Sequence, residues 1–167
     1  PTTAAPPTTQ ASPLVAPTTT ADPSTFGFVT VWDITADSLE LTIPINESFS
    51  DSYDYTVNWG DGTQDNWTGE ATHTYERVGE YTVTITGSFP AIQLSTLEER
   101  TNSYGTEYID AQAHPIAYQL LRIEQWGSRI AWRSMRVAFA YAQNMQMTAI
   151  DAPDLSRVRD MSWMFYR

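Results

Sequence analysis

The side chains that could carry out chemistry in this chain of 167 residues are mainly carboxylates, because 20 Asp and Glu stand against two His and no Cys. The absence of Cys excludes disulfides, thiolate catalysis and Cys-based metal sites. His73 and His114 lie far apart, and neither has a second His or an HExxH-type neighbour, so no zinc site is predicted. Without Lys or a Gly-Xaa-Ser-Xaa-Gly motif, we predict no catalytic residue, no cofactor and no enzymatic activity.

Calcium is the metal that the carboxylate pattern favours. Glu47, Asp51 and Asp54 lie on or beside one polar stretch, and Asp61 stands between two glycines further along. Hard carboxylate oxygens suit this ion, although the spacing is not that of an EF-hand. For Asp61 the favoured alternative is structural, with the carboxylate accepting N–H bonds inside its own turn.

Two aromatic positions raise the question of ligand binding. Trp67, if exposed, could stack on a sugar, and the alternative is that it anchors a loop. His73 precedes an aromatic residue on a predicted strand, so we interpret it as a packed or rim histidine rather than a ligand or base.

Charge divides the chain into two chemically different parts. The net charge is −11, residues 1–76 hold 11 acidic and no basic residues, and all nine basic residues are Arg from Arg77 onward. A nucleic-acid partner is not expected, because a phosphate-binding surface needs clustered positive charge. No apolar run approaches the ~20 residues of a membrane span, and we expect the sequence to be part of a longer protein.

The elements that must position these side chains begin with a linker. Residues 1–25 contain six of the ten Pro and eight Thr, with few large apolar side chains. Such a segment cannot bury enough surface to offset its ordering entropy, so we predict a disordered, extended spacer.

Residues 26–90 alternate apolar and polar side chains with period two, which predicts half-buried strands separated by polar and glycine turns. Short antiparallel strands of this kind form a small β-sandwich. One ordered set of residues resembles the signature of the polycystic kidney disease (PKD) domain: Trp59, Gly60, Asp61 and Gly62, then His73, Tyr75, Gly79 and Tyr81. The resemblance implies an immunoglobulin-like sandwich that serves extracellular and surface proteins as a spacer or binding module.

Residues 91–117 are polar and irregular, and we predict a connector formed by a long loop. Its length is uncomfortable for a structureless loop, so a short helix near residues 96–101 or an extra strand are alternatives.

Residues 118–167 begin with a predicted strand over 118–125 and then change to a helical spacing, with Met135, Ala138, Phe139 and Ala142 on one face behind a Ser134 cap. A shift of 26 residues repeats the pattern and places Met161 on Met135 and Phe165 on Phe139. These side chains, with Met164, are predicted to form the core between repeats. The segment resembles the start of a BspA-like leucine-rich-repeat array, which implies a truncated solenoid with short helices.

The combination predicts a mainly β, non-enzymatic binding or adhesion protein located outside the cell or on its surface. The sandwich would act as spacer and cap, and the repeats would bind an extracellular protein or glycan on a host, a neighbouring cell or a matrix. The alternative is an accessory carbohydrate- or matrix-binding module of a secreted hydrolase.

Overall fold

The computed structural model describes residues 26–166. The linker predicted for residues 1–25 lies outside this range, as does Arg167. The described chain is mainly β, as predicted. Its strands are β1 (Phe28–Ile34), β2 (Glu40–Ile43), β3 (Asp54–Asn58), β4 (Gln64–Trp67), β5 (Ala71–Thr74), β6 (Gly79–Ser88), β7 (Ser95–Thr101), β8 (Glu107–Ala113), β9 (Leu120–Gln125) and β10 (Gln146–Met147). Short 3-10 helices cover Glu47–Ser52 and Pro115–Gln119.

The largest sheet has six strands in the order β10-β9-β1-β6-β3-β4. Strand β1 lies inside it and pairs antiparallel with both β6 and β9, with Phe28 opposite Ile85 and Val29 opposite Gln125. Six of its seven residues are buried, Asp33 being the exception. A strand that is hydrogen-bonded along both edges and covered on both faces needs a nearly continuous apolar sequence, which β1 has.

The sandwich is completed by a smaller sheet in which β2 pairs antiparallel with β5. The predicted alternation is present here and in the large sheet, because Leu41 and Ile43 of β2 and Tyr55 and Val57 of β3 are buried while the other residues of these two strands are not. One apolar cluster therefore fills the space between the sheets.

Residues 91–117 contain a β-hairpin rather than the predicted long loop. Strands β7 and β8 pair antiparallel from Ser95 opposite Ala113 to Thr101 opposite Glu107. At its tip the Asn102 side chain accepts the N–H groups of Tyr104 and Thr106, and Gly105 takes a φ of 77°. Of the sequence-based alternatives, the extra strand was closer to the structure than the loop or the helix. The residues at this turn close a hairpin although its strands are largely polar.

Residues 135–142 form consecutive turns, here called the first turn run, and the predicted helix is wrong. Val137 and Tyr141 have φ values of 47° and 65°, which no right-handed helix accommodates. The N–H groups of Ala138, Ala140 and Ala142 donate to carbonyls three residues earlier. Residues 137–140 are all buried, so the apolar spacing reflects burial of the whole run and not one face of a helix.

The alternate N–H groups of the first turn run donate to residues 160–166, whose turns from 161 to 166 are here called the second turn run. The four bonds join Met135 to Asp160, Val137 to Ser162, Phe139 to Met164 and Tyr141 to Tyr166. In a parallel arrangement this places each residue level with the one 26 positions later, the spacing of the sequence repeat. The positive φ of Val137 recurs at Trp163, at 61°, and the Phe139 and Phe165 rings stack at 5.9 Å.

The sandwich and the turn runs share one core. Strand β9 is part of the large sheet through β1, and β10 then pairs parallel with β9. Trp132 meets the rings of Phe28, Phe89 and Trp126 edge-on at 5.1 to 6.0 Å. The sheet is therefore continuous across residue 118, and the predicted domain boundaries at residues 90 and 117 stay a prediction.

Candidate functional site

The turn at Gly60, Asp61 and Gly62 is built around its carboxylate. Asp61 Oδ1 accepts the Thr63 backbone N–H at 2.9 Å and the Thr63 hydroxyl at 2.6 Å, and Asp61 Oδ2 lies 2.7 Å from His73 Nε2. Partial burial alone would raise the pKa of Asp61, but the hydrogen bonds of Thr63 and His73 outweigh it and hold that pKa below its usual value. The carboxylate thus occupies the within-turn role that its sequence position favours.

His73 is a packed histidine, as the sequence predicts. Its ring stacks on Trp59 at 4.9 Å and 15° and meets the edge of Tyr75 at 4.7 Å. The Tyr75 hydroxyl donates to the Trp59 carbonyl at 2.9 Å. The signature residues therefore form one aromatic stack that fixes the turn against the core.

The calcium alternative considered in the sequence analysis gains no support from the structure. Glu47 and Asp51 lie on the 3-10 helix after Asn46, Asp54 begins β3, and Asp61 is engaged with Thr63 and His73. Within residues 26–166 no three His, Asp or Glu side chains form a group that could hold a metal ion.

Trp67 is half-buried rather than an open platform. It pairs across β3 and β4 with Tyr55, packs against the core, and donates its indole N–H to Asp65 at 2.5 Å. Asp65 accepts the Trp59 indole N–H as well, at 2.9 Å. The sequence analysis missed Asp65, whose position between two tryptophans was the available signal. The Asp65 carboxylate accepts a hydrogen bond from both indoles. This arrangement agrees with the alternative in which Trp67 is an anchor and not a sugar platform.

The predicted repeat core is only partly covered. Met135, Phe139 and Met164 are buried, whereas Met161 and Phe165 are 48% and 57% exposed. The first turn run lies between the sandwich and the second turn run, but within the described residues nothing packs over the far side of the second. The prediction of five equivalent core positions is therefore wrong for Met161 and Phe165.

A second carboxylate that the sequence analysis did not single out joins the repeats to the sandwich. Asp151 accepts the Trp126 N–H at 3.0 and 3.1 Å and the Gly127 N–H at 2.9 Å. Gly127 has a φ of 81°, which turns its N–H toward this side chain. Asp151 thus satisfies buried backbone donors where β9 ends, and its role is structural.

A groove of about 470 Å³ opens where the sandwich, the hairpin and the first turn run meet. Glu47, Glu70, His114 and Arg136 are its ionisable lining residues. Burial lowers the pKa of His114, against an opposing effect of Glu70, and its Nδ1 accepts the Ile116 N–H at 3.4 Å. The ionisable residues of this groove suit it to polar groups. The His114 imidazole, however, already caps the 3-10 helix Pro115–Gln119.

Residues 34–93 match the family model of the PKD domain. The match covers the aromatic stack, the Gly60 to Gly62 turn and strands β2 to β6, which confirms the PKD part of the resemblance. No curated protein and no solved structure matches the chain. In the part of the chain that the structure describes, no helix is long and apolar enough to cross a membrane.

Proposed function

We propose that this chain is a non-enzymatic binding or adhesion protein, located outside the cell or on its surface, in which the PKD domain caps a BspA-like repeat array. PKD domains are commonly extracellular adhesion or spacer modules. They usually occur in extracellular or cell-surface proteins. The partner in this proposal is an extracellular protein or a glycan on a host, a neighbouring cell or a matrix.

The observation that carries the proposal is the hydrogen-bond ladder between the two turn runs. Four backbone bonds, one recurring positive φ and one aromatic stack all follow the 26-residue spacing. A spacing of 26 lies within the ~20–29 residues of leucine-rich repeats. Repeats of this kind stack because one repeat cannot bury its apolar side alone, and further repeats would cover Met161 and Phe165 in the same way.

Capping by the sandwich is supported by the contacts on the side of the first turn run that faces away from the second turn run. The Leu94 N–H donates to the Ala138 carbonyl and the Arg133 N–H to the Pro90 carbonyl, at 3.3 and 2.8 Å. Phe28 and Phe89 cover Trp132. A repeat array needs such a cap, since its first coil would otherwise expose apolar side chains and unpaired backbone groups.

The accessory-module alternative has less support. Its candidate sugar platform, Trp67, is half-buried with its N–H bonded to Asp65. A glycan array probed with the intact chain and with Trp67→Ala distinguishes the two, because strong sugar binding that is lost in the variant would favour the accessory module.

The capping proposal is tested by preparing residues 119–167 without the sandwich and comparing them with the whole chain. We expect the fragment to aggregate or to unfold without a cooperative transition, because Trp132 loses the Phe28 and Phe89 rings that cover it. A soluble fragment that unfolds cooperatively at the temperature of the whole chain would contradict capping.

The binding proposal is tested separately with the whole chain on immobilised matrix proteins and glycans. Retention above that of an unrelated acidic protein is the expected result, together with rates no higher than buffer on ester, glycoside and peptide substrates. Turnover of any of these substrates, or no retention on any surface, would contradict a non-enzymatic binding function.

A further inference from the structure

Four of the nine arginines line a single cleft in this acidic protein. The cleft measures about 270 Å³ and lies beside the starts of the two turn runs. The arginines that line it are Arg133, Arg136, Arg157 and Arg159, and the one acidic residue in its lining is Asp160. Tertiary structure thus creates a local positive charge in a chain whose net charge is −11.

Two of the four guanidinium groups are held in place by neighbours. Arg133 lies over the Phe49 ring at 4.7 Å and donates to the Ser52 hydroxyl at 2.9 Å. Arg136 has its Nε 3.8 Å from an Asp160 carboxylate oxygen, a long contact between two half-exposed groups. A stacked guanidinium keeps its N–H fork oriented, so less entropy is lost when it binds an anion.

The other two guanidinium groups are exposed and lack a close partner. Within residues 26–166 neither Arg157 nor Arg159 has a carboxylate oxygen within 4.0 Å, although the charge of Arg157 contributes to lowering the pKa of Asp154. Both stand in the stretch that leads into the second turn run. They are available for a ligand without breaking a salt bridge.

The repeat register brings like charges together. The ladder that aligns Met135 with Met161 places Arg159 at the position equivalent to Arg133 in the next repeat. Like charges on adjacent strands destabilise a ladder, and an anion shared between them removes that cost. An anionic ligand between these two positions would offset the repulsion of the arginines that line the cleft.

We propose that this cleft binds an acidic saccharide, one that carries sulfate or carboxylate groups. The four guanidinium groups would hold its charge, and Asn46, Ser48 and Ser134 in the lining offer amide and hydroxyl groups suited to sugar hydroxyls. The volume is just below the ~300–1,000 Å³ of ordinary ligand pockets, which fits one charged sugar unit of a chain. This inference deepens the proposed binding function and rests on it.

The test is binding of a fluorescent sulfated oligosaccharide derived from heparin, and of an oligouronate, to the whole chain at 150 mM NaCl by fluorescence anisotropy. The variant is Arg157→Ala with Arg159→Ala, and the control is Arg77→Ala with Arg129→Ala. Both pairs are exposed and remove the same charge, but the control pair does not line the cleft. Thermal unfolding of each variant establishes that it is folded.

We expect saturable binding of at least one saccharide, weakened about 100-fold in the cleft variant and less than about 3-fold in the control. Equal loss in both variants, or no binding by the unchanged protein, would overturn the proposal. Equally tight binding of single-stranded DNA or an acidic peptide of the same charge would overturn the saccharide assignment. Retention on a matrix surface that survives loss of saccharide binding would leave the proposed adhesion function standing while this inference fails.

Discussion

Replacing Trp132 with Ala tests whether the sandwich and the turn runs unfold as one unit. The indole is fully buried and meets three other rings, those of Phe28, Phe89 and Trp126. Truncating a buried Trp to Ala costs about 3–5 kcal/mol, to which the lost aromatic pairs contribute about 0.5–1.5 kcal/mol each. Out of a total stability of about 5–15 kcal/mol this is a large fraction. At about 2–4 °C per kcal/mol, Tm should fall by about 10 °C.

The assay is thermal unfolding followed by both far-UV circular dichroism and tryptophan fluorescence. We expect one transition by both probes in the unchanged protein and in the variant. Trp132→Phe should cost much less than Trp132→Ala, because among the described residues the Trp132 Nε1 has no hydrogen-bond partner and its removal relieves an unsatisfied donor. Tyr104→Ala, at the exposed hairpin tip, should leave Tm unchanged. An unchanged Tm for Trp132→Ala, or two transitions of which one moves, would refute a shared core.

Two further predictions concern the turn before β4. Because the folded-state pKa of Asp61 is lowered, its ionised form stabilises the protein above the unfolded pKa of about 3.9, and this contribution is lost as pH falls through the folded pKa. Urea unfolding should therefore show Asp61→Asn destabilised at pH 6, and the deficit should shrink as the pH is lowered below about 3.9. A deficit that does not change with pH would contradict the His73 and Thr63 bonds as its cause. Gly60→Ala should destabilise the protein by more than about 2 kcal/mol, because a Cβ at a φ of 81° would collide with the Thr82 carbonyl oxygen. Gly62→Ala is the matched control: its φ is 96° but the space around it is open, so it should cost about 1 kcal/mol. Equal costs in parallel urea titrations would show that backbone movement relieves the collision.

The strands of the sandwich could be predicted because their determinants are local. Alternation over Leu41 and Ile43, or Tyr55 and Val57, places one set of side chains on the buried face whatever the strand pairs with. The Asp61 turn was predictable for the same reason, since its acceptor and its Thr63 donor are two residues apart. The hairpin over residues 95–113 was harder, because its strands are mostly polar and lack that alternation.

The first turn run shows where local spacing misleads. Apolar residues at i, i+3, i+4 and i+7 fit one face of a helix, but the same spacing arises when every position from Val137 to Ala140 is buried. The hydrogen bonds of the backbone N–H groups explain why the segment forms turns and not a helix. The N–H groups of Met135, Val137, Phe139 and Tyr141 have carbonyl acceptors within residues 160–166, so an intrahelical ladder is not needed to satisfy them.

The β class, the PKD signature and the 26-residue period can be recognised from the order of residues, because each depends on residue types at short or regular spacing. Tertiary structure decided which distant groups meet: β1 with β9, Asp65 with two indoles, and four arginines in one cleft. It also decided that Phe139 is covered while Phe165 is exposed. The physical reason is that burial and charge clustering depend on the neighbours a residue acquires on folding, and those neighbours come from parts of the chain that local patterns do not connect.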